Sequence, residues 1–306
     1  KYLRLIAHCA RLPDVACAVV HPCNASSLLG AVRSGEIGLI RPILVGPRSR
    51  IEAAAREAAV DISALELVDT PHSQASAERA VKLVHEGRVK MLLKGSIETN
   101  ELLSVVVSRE SGLRTGRRIS HCFVMDVPLL DRVLIISDAG VNIFPTLEHK
   151  ADIVQNAIDL ARALGNAQPK VAILSATESV NPKMQSTLDA AALCKMADRG
   201  QIVGGILDGP LALDNAIDLA AARVKNIISS VAGCADILIA PDLEAGNMLA
   251  KSLSFLAHAD AAGIVLGARV PVVLTSRADS METRLASAAI AVLLVHGARV
   301  GNRPGH

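Results

Sequence analysis

Aromatic side chains are nearly missing from this sequence. Its 306 residues include no Trp, one Tyr and three Phe. Base stacking needs aromatic faces, so it is a poor candidate for a binding mode. A charge imbalance is missing too: 32 Lys and Arg face 30 Asp and Glu, and a formal net charge of +2 gives no electrostatic case for nucleic acid. No CxxC pair occurs among Cys9, Cys17, Cys23, Cys122, Cys194 and Cys234. Cys17 and Cys23 stand six apart with a His between them, which is not a zinc-ribbon spacing. The cysteines read as reduced, mostly buried small hydrophobes of a cytoplasmic protein, with no metal site. No signal peptide opens the sequence, and the longest strongly apolar stretch, Leu285 to Val295, is too short to span a bilayer. No membrane association is expected.

What is present is aliphatic. Hydrophobic residues make up 51% of the chain, so Ala, Val, Ile and Leu must fill the core, an arrangement suited to helices packed on a sheet. Continuous apolar runs predict strands at Ala18–His21, Ile43–Val45, Met91–Leu93, Val133–Ile136, Val171–Leu174, Ile237–Ile239 and Val272–Leu274. Helical spacing lies between them. Ile153, Val154, Ala157, Ile158, Ala161 and Leu164 share one face, and Gly165 ends that helix. Asn181-Pro182 reads as a cap with an N1 proline. A helix is expected from about Glu244 to Ala261 and another from about Met281 to His296, with Ser280 as N-cap. This alternation predicts an α/β fold with parallel sheets and right-handed crossovers. Ligands on such sheets bind beyond the carboxyl ends of the strands, so polar residues there carry functional weight.

Several segments meet that condition. Pro271–Ser280 runs from an apolar strand into Thr275, Ser276, Arg277 and Asp279 just before a helix start, the layout of an anion site. Arg277 can give two parallel N–H bonds to a phosphate. Lys94, Gly95, Ser96, Thr99 and Asn100 follow another strand end. They read as a phosphate or acyl-phosphate loop, or as an ordinary βα turn capped by Thr99 or Asn100; the P-loop order is absent. Asp138 could orient a cation or take a proton and Asn142 could bind a carbonyl or phosphate, or the pair could form an Asx turn. Gly246, Asn247 and Lys251 could reach a cleft or lie on a solvated helix face. Arg114, Arg117 and Arg118 suit a nucleotide-type cofactor or a solvated loop. His121 and His149 read as structural, and Asp208-Gly209-Pro210 as a turn.

The ordered set is more specific than any member. Lys94-Gly95 with Thr99, Leu113-Arg114-Thr115-Gly116 with Ser120-His121, Asp138 to Asn142 with Pro145, Pro169–Ala172, Asn181-Pro182, Asp208–Ala212, Pro241-Asp242, Gly246-Asn247, Lys251 and Ser276–Ser280 occur together. In this set the chain resembles the phosphate acetyl/butyryltransferase family along nearly its whole length. The Leu-Arg-Thr-Gly and Ser-Arg-Ala-Asp-Ser forms look like the butyryl branch, and like the C-terminal part of bifunctional enoyl-CoA hydratase/phosphate acetyltransferases. A start at Lys1 instead of Met fits a piece of such a longer product, although no hydratase region is present.

The resemblance implies two α/β/α sandwich domains with mostly parallel sheets and an interdomain cleft. The first would be discontinuous, 1–118 plus 268–306, and the second would be 119–267. It implies the reaction acyl-CoA + phosphate ⇌ acyl phosphate + CoA through a ternary complex, in a homodimer that uses CoA and phosphate as substrates and holds no tightly bound cofactor. Ser276 and Arg277 match the family's catalytic pair, and 94–100 matches its phosphate cradle. Ser120, His121, Asn142, Asp279 and Thr283 fall at CoA or cleft positions with Arg114, Gly246, Asn247 and Lys251. Thr283 stands where the acetyl branch has an aspartate base, and Ser104 and Val105 where it has an arginine. Lys94 could replace that charge; Asp138, Asp279 and Glu282 are candidate bases. Cys234 stands where Asp is expected. Two other readings follow from related architectures: an acyl-CoA-sensing module like that attached to malic enzymes, and a metal- and NAD-dependent dehydrogenase. The dehydrogenase lacks its sequence signs here, since no metal-ligand cluster or GxGxxG appears.

Overall fold

A computed structural model describes residues 1–110, 112–276 and 279–301, the last four as backbone. In chain order the elements are α1 (Tyr2–Cys9), β1 (Val15–Val20), α2 (Ala25–Glu36), β2 (Ile40–Gly46), α3 (Arg48–Ala58), β3 (Glu66–Asp69), α4 (Ser73–His85), β4 (Met91–Lys94), α5 (Thr99–Val107), β5 (Ser120–Asp126) and β6 (Leu134–Ser137). They continue with α6 (Leu147–Ala163), β7 (Lys170–Leu174), α7 (Gln185–Asp198), β8 (Ile206–Leu211), α8 (Leu213–Ile217), α9 (Leu219–Val224), β9 (Ile237–Ile239), α10 (Leu243–Leu256), β10 (Asp260–Leu266), β11 (Val272–Leu274) and α11 (Met281–Gly301). Two compact units result, one of Lys1–Arg117 with the chain from Ala262 on, the other of Arg118–Ala261.

The first unit orders its strands β3-β2-β1-β4-β11-β10. All neighbours are parallel except β10 against β11. Every residue of β1 is buried, as a central strand covered on both faces requires. The second unit orders its strands β5-β6-β9-β7-β8, with only the β5–β6 pair antiparallel. Its core packs Leu134, Ile136, Ala172, Leu238 and Ala250 together, with Phe123 against them. Among the described residues no helix is long and apolar enough to cross a membrane.

Caps fix the helix starts. Ser27 N–H donates to Asn24 Oδ1 at 2.9 Å, Ala245 N–H to Asp242 Oδ1 at 2.8 Å, and Thr283 N–H to Ser280 Oγ at 3.1 Å. Three sequence expectations are corrected. Asn181-Pro182 forms a turn, with Lys183 N–H on Asn181 Oδ1, and α7 begins only at Gln185. The helix from Glu244 stops at Leu256, not near Gly263. His258 turns into the left-handed region at φ 53, and the apolar run after it forms β10. A glycine usually marks such a stop, and a short apolar run does not separate helix from strand. Asp208-Gly209-Pro210 lies inside β8, an edge strand, where a missing N–H is tolerated.

One charge pair is sealed in the second unit. Lys150 Nζ of α6 donates to Asp189 Oδ2 of α7 at 2.7 Å, with side chains only 6% and 7% exposed. Gln185 Nε2 fills Asp189 Oδ1 at 2.8 Å. Removing one partner leaves the other charge buried and alone. Asp189→Ala is therefore expected to lower stability by about 3–5 kcal/mol in urea denaturation, while the double replacement Lys150→Met with Asp189→Leu recovers most of it.

Candidate active site

In the first unit β11 lies parallel to β4, with Val272 opposite Leu92 and Val273 opposite Leu93. Both strands therefore release their chains at one sheet edge. Thr275 Oγ1 donates to the Lys94 carbonyl there at 3.4 Å. Lys94–Asn100 and Ser276, separated by most of the sequence, are brought together by this register.

Gly95 crosses the end of β1. Its N–H donates to Val20 O at 2.8 Å, and a Cβ at this position would lie 2.5 Å from Val20 O and 2.6 Å from His21 O. Only glycine permits that approach. Ser96 is committed next door. Its hydroxyl donates to His21 O at 2.8 Å and accepts from Cys23 N–H at 3.1 Å. The hydroxyl proton thus holds the β1 loop, a use the sequence did not reveal. Lys94 Nζ reaches Gly95 O at 3.4 Å. Thr99 opens α5, and its predecessor Glu98, not Thr99 or Asn100, is the N-cap; the Glu98 side chain makes no capping bond. α5 therefore starts directly after this loop without a side-chain cap bond from its N-cap, and the free N–H groups of a helix start are able to bind an anion.

After β11, Ser276 and Asp279 are tied to each other. Ser276 N–H donates to Asp279 Oδ2 at 2.6 Å, and Asp279 N–H returns to Ser276 O at 3.3 Å. Thr283, 3% exposed, accepts from Ser280 Oγ at 3.0 Å and completes the start of α11. Arg284 was not singled out by the sequence, although it is the arginine at the start of a helix that is otherwise rich in Ala, Ile, Val and Leu. It is 6% exposed, and its Nη2 donates to Ser276 O at 2.7 Å. Arg277 lies outside the described residues. Arg114 is not brought to this edge: its backbone bridges Ala268, in the turn ahead of β11, at the other end of that strand from Ser276.

The second unit builds its own polar cluster where β6 and β9 end. Asp138 is 2% exposed. Its Oδ1 accepts from His121, Gly140 and Val141 N–H at 3.2, 2.9 and 3.1 Å. Its Oδ2 accepts from Asn142 N–H at 2.9 Å and from Asn142 Nδ2. The carboxylate is saturated by five N–H donors and organises its loop. Asn142 is equally committed, with Nδ2 also on Ile119 O at 2.9 Å and Oδ1 accepting from Arg118 Nε at 2.7 Å. Ser120 Oγ accepts from Asn156 Nδ2 at 2.9 Å. The start of α10 closes on this loop. A Cβ on Gly246 would lie 2.3 Å from Asp138 O, and Asn247 Nδ2 donates to Ala139 O at 3.1 Å. Lys251, one turn on, is exposed. His149 belongs to the capping box of α6. Cys234 accepts from Lys170 Nζ at 3.0 Å, so its thiol takes up a lysine contact instead of only packing.

His121 is 4% exposed, packs edge-on to Phe123 with ring centroids 4.4 Å apart, and leaves Nδ1 without a hydrogen-bond partner. Burial pulls its pKa down from 6.5 to about 4, against an opposing pull from Asp138. Burial and Arg50 pull His21 down as well. The unfolded chain then binds more protons than the native one between pH 6.5 and about 4, so stability is full above the unfolded value and falls as pH drops through that window. In urea denaturation at stepped pH, His121→Gln is expected to flatten this loss, while His21 and carboxylates with lowered pKa such as Glu86 and Glu178 keep their share; an unchanged slope refutes the assignment.

Residues 72–292 match the model of the phosphate acetyl/butaryl transferase family. The phosphate acetyltransferase of Rhizobium meliloti is 60% identical over 293 residues, which cover 96% of this chain and 93% of that protein. The phosphate butyryltransferase of Clostridium acetobutylicum is 44% identical over 268 residues, covering 87% and 89% respectively. Among solved structures, a branched-chain phosphotransacylase from Enterococcus faecalis superposes with a TM-score of 0.80 at 31% identity, covering 92% of this chain and 99% of that one. With the family model matching well over half of the chain and relatives this similar, the chain belongs to the phosphate acetyl/butaryl transferase family.

Proposed function

We propose that this chain moves a short acyl group, acetyl or butyryl, between CoA and inorganic phosphate: acyl-CoA + phosphate ⇌ acyl phosphate + CoA. The observation that carries the reading to particular residues is the meeting of the Lys94–Asn100 loop with Ser276 at one sheet edge. Family membership supplies the reaction.

In the proposed chemistry the CoA thiolate attacks the carbonyl carbon of the acyl phosphate. The new C–S bond forms, the C–O bond to phosphate breaks, and phosphate leaves with the bonding pair. Arg277 binds the phosphate oxygens and offsets their charge in the transition state. The first turn of α5 and Lys94 take the remaining oxygens. Ser276 orients the thiol or the phosphate. Asp138 and Asp279 accept backbone N–H groups, which favours roles in holding loops over proton abstraction. A thiol of ordinary pKa, about 8.5, then ionises by the pull of nearby cations without a strong carboxylate base. Positioning both reactants at near-attack distance accounts for much of the acceleration.

CoA and phosphate serve as substrates in this reading, with no tightly bound cofactor. The cysteines are free, which suits a reducing cytoplasm. The enzyme is a homodimer: Phe144, Met248 and Phe255 of the second unit are 76%, 62% and 76% exposed, with Met248 and Phe255 two turns apart on α10, an apolar surface suited to a second copy. Sedimentation at a dimer mass is expected, and a monomer overturns that part.

The deciding assay is phosphate-dependent release of free thiol from acetyl- and butyryl-CoA. CoA binding without turnover would convert the reading to that of a sensor. Arg277→Gln is expected to lower kcat/KM by at least about tenfold, roughly 1.4 kcal/mol of transition-state stabilisation, with near-normal turnover removing Arg277 from the mechanism.

A further inference from the structure

We propose that Arg284 is a positioning residue that sets the peptide of Ser276, and with it the approach of the Ser276 hydroxyl to the reacting groups. The proposal rests on the transferase reading above. It names a residue that touches no substrate in that reading and acts through its neighbours.

Arg284 sits in the second turn of α11, with its own N–H on Ser280 O at 3.1 Å. Its side chain turns back beneath the segment that follows β11. Nη2 donates to Ser276 O at 2.7 Å and Nη1 to Thr275 Oγ1 at 3.3 Å. The Thr275 hydroxyl passes its own proton to Lys94 O at 3.4 Å. One guanidinium therefore underpins both strand ends of the candidate phosphate site, directly on the β11 side and through Thr275 on the β4 side. The preceding peptide is held by Asp279 Oδ2, which accepts from the Ser276 N–H. The main chain of Ser276 is thus held at both its peptides, the carbonyl by the guanidinium and the N–H by the carboxylate.

Space for the guanidinium is made elsewhere in the fold. Its stem runs across α2 at Gly30, where a Cβ would come within 3.1 Å of Arg284 Cδ. Further along the same face of α11, Ser287, Ala288 and Ala291 are fully buried. Burying a guanidinium among such residues is costly unless its donors are used, and a hydrophobic residue packs there at less cost. The donors described here go to a main-chain carbonyl and a hydroxyl of adjacent residues, which fixes a loop conformation more than it adds stability. The same cation lies below a site built for an anion, so it adds positive potential where phosphate charge must be offset.

The test measures thiol release and thermal unfolding on the full chain. Arg284→Gln is expected to lower kcat by about tenfold or more, while KM for acyl-CoA moves less than about threefold. Arg284→Lys keeps the charge and one donor, and is expected to recover part of kcat. In Arg284→Ala, millimolar guanidinium is expected to restore kcat partially where equal urea does not, a response that general loss of packing does not give. Wild-type kcat in a folded Arg284→Gln protein overturns the proposal, and so does a kcat loss in Arg284→Ala that guanidinium leaves untouched. If the arginine variants do not fold, Thr275→Val takes over the test: it removes the hydroxyl relay and leaves the guanidinium in place. A fall in kcat of about threefold or more is then expected, and unchanged kcat overturns the proposal. Failure of the transferase reading would appear differently, as wild-type protein that releases no thiol with phosphate present.

Discussion

Two parallel strands that end side by side set the terms for everything at the candidate phosphate site. β4 and β11 come from opposite ends of the chain, yet their register puts Lys94 and Thr275 at one edge, linked by a hydroxyl-to-carbonyl bond. The loop beyond β4 must then cross the end of β1. It does so at Gly95, where backbone oxygens of Val20 and His21 occupy the space of any side chain. Ser96 fastens the crossing to the β1 loop. The crossing is thus fixed by a glycine with no room for a side chain and by two hydrogen bonds of one hydroxyl.

Carboxylates do unexpected work in this fold. Asp138 and Asp279 stand in loops after strand ends, the usual address of a general base in an α/β protein. Each instead accepts main-chain N–H groups, and Asp138 does so with both oxygens. Their negative charge is spent on organising the loops. In the second unit this arrangement depends on Gly246, because α10 starts against the Asp138 carbonyl with no room for a methyl group. Glycine and carboxylate therefore form one device: the glycine allows the helix to approach, and the carboxylate ties the loop that the helix meets.

The cations follow a complementary pattern. Lys150 is sealed with Asp189 between two helices. Arg284 is buried under the Ser276 segment. Lys170 reaches Cys234 at the start of β7. The net charge is nearly balanced overall, and the buried Lys150 and Arg284 are each placed on a specific acceptor, as the cost of desolvation requires. Of these, the arginine lies under a strand end of the first unit, with Nη2 on Ser276 O and Nη1 on Thr275 Oγ1.

Sequence alone determined the α/β class, the mainly parallel strand pairing and the family. Continuous aliphatic runs between helical spacings admit few other folds, and the motif set from Lys94 to Ser280 is specific as an ordered series. It also located both loops of the first unit, since a polar residue at the end of an apolar strand is visible without coordinates. Other features were invisible to local pattern. The end of α10 depended on a left-handed histidine, and β8 absorbed a Gly-Pro that reads as a turn. Arg114, grouped with the ligand residues by resemblance, has its backbone at the other end of β11 from Ser276. Which polar groups are committed internally was decided only by the tertiary structure, because a hydrogen bond such as Ser96 to His21, or Arg284 to Ser276, depends on the distance between segments that are remote in the chain or folded back on each other. Residue type records what a side chain can donate or accept; only packing decides what it meets.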